Sequence, residues 1–446
     1  MLKAYRNIII LLLFVTNGVH IGCSSNDDEN PISFLNEIDA VITLGGSRNE
    51  SAQSIKKTGD GGYVILGYTQ SMDGDISEKQ NESFDYWVLK YDAQHSLQWS
   101  RTYGGTGTDV GNDIVQTIDG GYAIIGYSTS SDEDVSENAG AHDYWIAKLD
   151  AAGNMSWQKS FGYSGTDDGL SIIQSNDNGY LITGVLDVSA SGGAGNTRHS
   201  NSRHAGGDYW AIKLDTSGTL QWSKYFGGSF TDIPYDVIET NSGYILAGSS
   251  DSNDVDISNS NGQYDFWVIN ISTTGELVWE KSYGGSEIDE ARAIVHSGDG
   301  NFLIIGDTRS NDVDISENQG GADLWVIKID PMGELIWEKT LGGSSFDVGR
   351  SIKRMQDGGF LISGSSRSSD GDVSSNQGQN DAWVLKINST GALEWERSIG
   401  GTSIDFANDA IELNDGSVIA VGESISNDLD IILNQGFTDL LIIKLK

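Results

Sequence analysis

A tryptophan returns through this chain at nearly fixed intervals, and that recurrence limits the fold more than any other feature. It stands at Trp87, Trp145, Trp210, Trp267, Trp325 and Trp383, with Leu441 in a seventh place, at spacings of 58, 65, 57, 58, 58 and 58 residues. A period of this size marks one supersecondary unit copied many times, each copy unable to bury its apolar faces without a neighbour. The 446 residues therefore need not divide into several domains, as length alone would suggest.

Each unit contains four strand-like runs bounded by turn signals. In the second unit these are residues 113–117, 122–127, 144–149 and 155–160, broken by Asp119-Gly120-Gly121, a long polar loop, and the Asp150-Ala151-Ala152-Gly153 turn. No unit carries helical periodicity. Four antiparallel strands repeated radially make the blade of a β-propeller. The ends of the chain point the same way. The seventh unit stops after its third strand, residues 440–445, while Ile38–Leu44, followed by Gly45-Gly46, matches the fourth strand of the other units. The sequence thus predicts an all-β, seven-bladed propeller of four-stranded antiparallel blades over 38–446. Its last blade is closed by the N-terminal strand, which hides two exposed strand edges.

The element Asp-x-x-Gly-x-x-x-Trp (Asp150, Gly153, Trp157; Asp215, Gly218, Trp222; Asp330, Gly333, Trp337) resembles the tryptophan-docking motif of PQQ-type quinoprotein propellers, one residue shorter between Asp and Gly. The Gly-Gly-x-x-x-Asp and Asp-Gly-Gly-Tyr elements resemble the bacterial propeller repeat known as SBBP. These resemblances span nearly all of 38–446 and imply a fold, which both families use for unrelated functions.

The first 37 residues read differently. Lys3 and Arg6 precede an apolar run from Ile8 to Val15, too short to span a bilayer but suited to a signal-peptide core. Val19-His20-Ile21-Gly22-Cys23 then resembles the lipobox of bacterial lipoproteins, departing from it at His20, where an aliphatic residue is usual. The resemblance implies a signal peptide over 1–22 and an acylated, palmitate-bearing Cys23, the one cysteine of the chain. An acidic tether over 23–37 would follow. The run Ser24 to Pro31 is similar to the acidic export signal of surface-exposed lipoproteins. The implied location is the outer membrane of a Gram-negative cell, lipid-anchored and facing outward, with several acyl chains giving firm attachment.

Lys and Arg number 27 against 64 Asp and Glu, a formal net charge of −37. Such a body repels nucleic acid and anionic lipid head groups. Membrane contact is expected through the lipid anchor only, the partner is expected to be a surface protein or glycan, and the chain is expected to be a monomer.

All twelve Trp belong to the repeat, two in each of six units, which favours packing between blades over sugar-stacking platforms. The carboxylates form three recurring sets. One follows each Gly-Gly turn (Glu50, Asp109, Asp167, Asp232, Asp289, Asp347, Asp405), and another stands two residues before each third-strand Trp position (Asp85, Asp143, Asp208, Asp265, Asp323, Asp381, Asp439). The third is an Asp-x-Asp pair in the loop between strands two and three: Asp73/Asp75, Asp132/Asp134, Asp254/Asp256, Asp312/Asp314, Asp370/Asp372 and Asp428/Asp430. Antiparallel order puts all three sets on one face of the ring. Carboxylates and carbonyls in turns suit Ca²⁺ at roughly 2.3–2.6 Å, so the Asp-x-Asp pairs are candidate calcium ligands. The alternative is that they accept backbone N–H bonds in Asx-turns and stiffen the loops.

The third unit breaks the pattern with seven extra residues and no Asp-x-Asp pair. Its loop carries Arg198, His199, Arg203 and His204, a candidate site for an anionic group or a transition metal on an otherwise negative face. No Gly-x-Ser-x-Gly elbow, His-Glu-x-x-His or phosphate-binding loop occurs, and no residue is assigned a catalytic role. The sequence therefore points to a non-catalytic binding or scaffold lipoprotein that presents an acidic loop face to a protein, glycan or cation. The alternative is a glycosidase-like enzyme acting on polysaccharide, or an accessory of a glycan-utilisation system, since two carboxylates suffice for glycoside hydrolysis.

Overall fold

Residues 36–192 and 206–446 are described by the computed structural model. The leader with Cys23 and the Arg198–His204 loop lie outside the described residues. Seven four-stranded antiparallel sheets stand in a ring, the first being Glu50–Lys57, Tyr63–Thr69, Asp85–Tyr91 and Leu97–Tyr103 from inside to outside. The seventh sheet is completed by the N-terminal strand Ile38–Leu44, paired antiparallel with Asp439–Leu445. The predicted architecture and its mode of closure are both observed. Among the described residues no helix is long and apolar enough to cross a membrane.

The two middle strands of each blade are buried almost throughout, as strands covered on both faces must be. A glycine in every second strand permits this packing. A Cβ on Gly126 would meet the Val110 carbonyl at 1.9 Å, and one on Gly364 would meet that of Val348 at 1.8 Å.

The first tryptophan set is buried, Trp145 and Trp267 being 0% exposed. The second set lies on outer strands against the next blade. Trp157 fills the space beside Gly218, Trp222 that beside Gly275, and the Trp222 indole N–H donates to the Thr273 carbonyl at 3.1 Å. Tryptophan therefore packs blade on blade, and only glycine (φ +78° at Gly218) leaves room for it. At the closing junction both halves of this pair are missing. Ala40 stands in the register position of Trp99, and the facing turn carries His95 at φ +60° instead of glycine. Within the seventh blade, Asp39 ties the N-terminal strand to the C-terminal one, 3.0 Å from Lys444 and 2.7 Å from Lys446.

Two departures from the sequence reading matter. The inner strands start earlier than the hydrophobic pattern indicated: in blade 2 the strand is Asp109–Gln116, with a register shift between Gly111 and Asp113. Every inner strand has this bulge, and the extra residue interrupts the period-two pattern on which strand detection rests. Blade 3 also forms one helical turn, Val188–Ser191, where the other blades carry Asp-x-Asp; Asp187 caps it by accepting the Ala190 amide at 3.0 Å.

Candidate functional site: the loop face and the axial channel

The three carboxylate sets do gather on one face, where they hold the loops in place. The first acid of each Asp-x-Asp pair accepts the amide just beyond the Gly-Gly turn that leads into its own blade: Asp73 from Ser47 (2.8 Å), Asp132 from Thr106 (2.8 Å), Asp254 from Ser229 (2.9 Å), Asp312, Asp370 and Asp428 likewise. The second accepts the amide of the first glycine of that turn, as Asp75 does from Gly45 (3.0 Å) and Asp314 from Gly284 (3.1 Å), with Asp134, Asp256, Asp372 and Asp430 matching them. Each pair thus brackets, with charge-assisted bonds, the turn that joins the preceding blade to its own. Among the described residues, no group of three or more His, Cys, Asp or Glu is placed to hold a metal ion.

The set following the Gly-Gly turn is fully buried and equally engaged. Asp109 accepts the Gly105 amide at 2.7 Å and the hydroxyls of Ser128 and Ser130. The set preceding the third-strand Trp faces it across the first glycine. A Cβ on Gly284 would lie 2.4 Å from Asp265 Oδ1 and 2.8 Å from Asp289 Oδ2. Asp143, Asp265, Asp323, Asp381 and Asp439 each retain one buried oxygen with no hydrogen-bond partner. Burial, reinforced by the facing acid, pushes Asp265, Asp323, Asp381 and Asp439 up to about 6. In blade 1 the buried Lys79 ammonium lies 3.3 Å from Asp85.

The bulges aim a second group of residues into the axial channel, and the sequence reading missed these. The residue after each bulge is Ser54, Asp113, Ser171, Asp236, Ala293, Ser351 and Asp409 in blades 1 to 7. Three aspartates brace the blade that follows them. Asp113 accepts the Ile172 amide, Asp236 that of Ile294 and Asp409 that of Ile55, each at 3.0 Å. Serine hydroxyls link them: Ser54 donates to Asp113 (2.8 Å) and Asp409 (3.4 Å), Ser171 to Asp113 (3.3 Å) and Asp236 (3.2 Å), and Ser351 to Asp409. Lys56 lies 2.8 Å from Asp113, and Lys353 lies 3.3 Å from Asp409. Burial works to raise the Asp409 pKa, but Lys353, Lys56, the Ser351 hydroxyl and the Ile55 amide hold it below the ordinary value.

One layer nearer the loop face, the bulge residues themselves are Gln53, Asn112, Leu170, Tyr235, Arg292, Arg350 and Asn408, lining a cavity of about 100 Å³. Of these seven bulge residues, the charged ones stand in blades 5 and 6. Arg292 pairs with Glu290 at 3.0 Å and lies over the Tyr235 ring at 4.4 Å; Arg350 lies over Phe406 at 4.8 Å. Glu290 is also the cross-strand partner of Asp307, an acid pair that no other blade has at this register. Burial pushes Asp307 up to about 6, and Glu290 adds to this, against the pull of Arg292, Arg309 and Arg350. The mouth of the channel is therefore the place among the described residues where the repeat gives way to blade-specific charge.

No family model matches the chain. The regulatory protein FlaEY of Caulobacter vibrioides is 22% identical over 402 residues, which are 80% of this chain and 41% of that protein, so the chain spans under half of this curated relative. Among solved structures, the chain is similar to Sqt1 from Chaetomium thermophilum (9% identity, 93% of this chain and 100% of that one, TM-score 0.48). It is also similar to a protein of unknown function from Bacteroides caccae (10% identity, 70% and 89%, TM-score 0.40). At these identities no activity passes from any of the three to this chain.

Proposed function

We propose that the chain is a non-catalytic binding propeller, held at the outer surface of the cell through acylated Cys23, which presents its loop face and channel mouth to a surface protein or glycan. One observation carries the binding reading: the acids repeated around the ring are engaged in holding turns and blades, and among the described residues blade-specific charge gathers at the channel mouth. A scaffold of near-identical blades with one differentiated opening suits recognition, because the rigid ring fixes a few side chains for a ligand while the repeats supply stability. The anchoring part rests on the lipobox-like Val19–Cys23 segment and the acidic residues that follow it.

Incubating the purified protein with a panel of polysaccharides should give no reducing ends. Labelled palmitate should enter the wild-type chain and not Cys23→Ser, and protease added to whole cells should degrade the anchored protein. Turnover of any polysaccharide overturns the non-catalytic reading, and palmitate incorporation into Cys23→Ser overturns the anchor.

The Glu290/Asp307 pair favours a second reading, a glycosidase-like centre. Cross-strand neighbours have their Cβ atoms about 4.5–5.5 Å apart, and two neighbouring carboxyls can divide acid and nucleophile roles. Under that reading, Glu290→Gln and Asp307→Asn would each abolish the turnover.

A further inference from the structure

We propose that the channel mouth at blades 5 and 6 is a docking site for a small oxyanion, a carboxylate or phosphate monoester, received between the guanidinium groups of Arg292 and Arg350. The inference rests on the binding reading, for which it names the class of ligand. Both arginines occupy the same bulge position in adjacent inner strands, Asp289–His296 and Asp347–Arg354, and both line the channel cavity. The other five blades place uncharged residues there.

Several features converge on an anion. Arg350 is exposed to the lumen and rests on an aromatic ring; burial by the surrounding protein and the positive charge of Arg292 work against its own charge, and Glu423 and Asp307 offset this only in part. Two like charges directed at one space repel until something negative enters between them. Glu290 engages one nitrogen of the Arg292 guanidinium, Nη2, at 3.0 Å. Blades 5 and 6 also lack the channel aspartate, carrying Ala293 and Ser351, so no acid of that layer fills the space. One step toward the rim the sign of charge divides across the mouth. The residue following the second strand is Arg309 in blade 5 and Arg367 in blade 6, both exposed, where blade 4 has Asp251.

The ligand must be small. A net charge of −37 repels polyanions, but that repulsion is screened over about 8 Å at physiological salt, whereas paired guanidiniums inside a channel wall act at contact. A cavity of about 100 Å³ admits a head group in place of a few waters. A planar guanidinium presents two parallel donors to either oxyanion, a match that a lysine ammonium does not reproduce.

The test is calorimetric titration of the full folded chain with glucuronate, glucose 6-phosphate and neutral glucose. At least one charged sugar should bind, more weakly as salt rises, and glucose should not. The charged sugar that binds identifies the source of the oxyanion. Arg350→Gln should weaken binding by about tenfold or more with an unchanged melting temperature, and Arg350→Lys should fall between. If neither charged sugar binds at tens of millimolar, or if both Arg350 variants bind as the wild type does, the site is overturned. That result leaves the scaffold reading standing. Polysaccharide turnover alongside intact oxyanion binding would overturn the non-catalytic reading and leave the site.

Discussion

The phenolic hydroxyl of Tyr86 crosses from blade 1 to blade 2 and donates to the backbone carbonyl of Trp145 at 3.0 Å, while the two rings meet at 4.7 Å. Tyr209 repeats the bond to Trp267 at 2.8 Å, and Phe266, next in the series, places its ring against Trp325 at 4.6 Å without a hydroxyl. Tyr86→Phe and Tyr209→Phe should each lower unfolding free energy by about 1 kcal/mol, the net value of one buried hydrogen bond. Phe266→Tyr should raise it by a similar amount, because the added hydroxyl points at the Trp325 carbonyl. Denaturant titration of the three variants checks all of this, and a Phe266→Tyr variant less stable than wild type would contradict it.

The buried acids at the blade junctions set a pH dependence. Asp85, Asp167, Asp265, Asp323, Asp381 and Asp439 are pushed up to about 6, chiefly by burial. A folded-state pKa above the unfolded one means that the native protein binds more protons between those two values. Stability should therefore decline as pH rises from about 4 to about 7. Below about 4 the trend should reverse as acids held low by partners, such as Asp119 with Thr117 and Lys148, become protonated. The melting temperature should be higher at pH 5 than at pH 7.5, and Asp323→Asn should reduce that difference.

The middle residue of each Asp-x-Asp pair adopts positive φ: 54° at Glu133, 60° at Val255, 56° at Val313, 57° at Leu429, and 67° at both Gly74 and Gly371. A β-branched side chain is strained there, at about 1–2 kcal/mol. Val313 is 67% exposed, so its side chain gains little from packing. Val313→Gly should stabilise the protein by about 0.5–1 kcal/mol after the entropy of the new glycine is subtracted. Gly371→Val should destabilise it, and paired melts of the two variants read both signs.

Because the Asp-x-Asp carboxylates are already bonded to turn amides, melting in chelator and in millimolar calcium should coincide within a degree or two. A calcium ion bound at about 100 times its Kd would add roughly 2.7 kcal/mol. A rise of many degrees would mean that a cation draws these oxygens away from the amides.

Asp409 holds one end of the channel belt, engaging Ser351, Lys353 and the Ile55 amide. Asp409→Ala should cost about 3–5 kcal/mol, since it leaves buried donors without their acceptor. Asp409→Asn should cost less, and the difference measures how much of the effect is charge.

The propeller was legible because its determinants repeat. Trp145 and its counterparts, the Gly-Gly turns and the unmatched strand at each end are periodic signals, and seven copies reinforce one another. The face bearing the acids followed from strand order alone. The channel residues were not legible for a definite reason. Arg292, Arg350 and Asp409 stand at or just after a bulge, where the side-chain alternation slips by one, so they read as the start of a strand and not as its inward face. Aligning the units at the bulge would have found them, since that column keeps the backbone and varies the chemistry.

The belt of aspartate and serine around the channel obeys a rule of counting. A closed circle with an odd number of members cannot be coloured alternately in two colours; two neighbours must fail to alternate. With seven blades the mismatch falls at Ala293 and Ser351, the two blades that carry Arg292 and Arg350. An even-numbered ring could satisfy the alternation all the way round and leave no blade different in kind. The choice of seven therefore obliges this scaffold to keep one sector unlike the rest, a built-in vacancy in its symmetry where selection is free to write a preference.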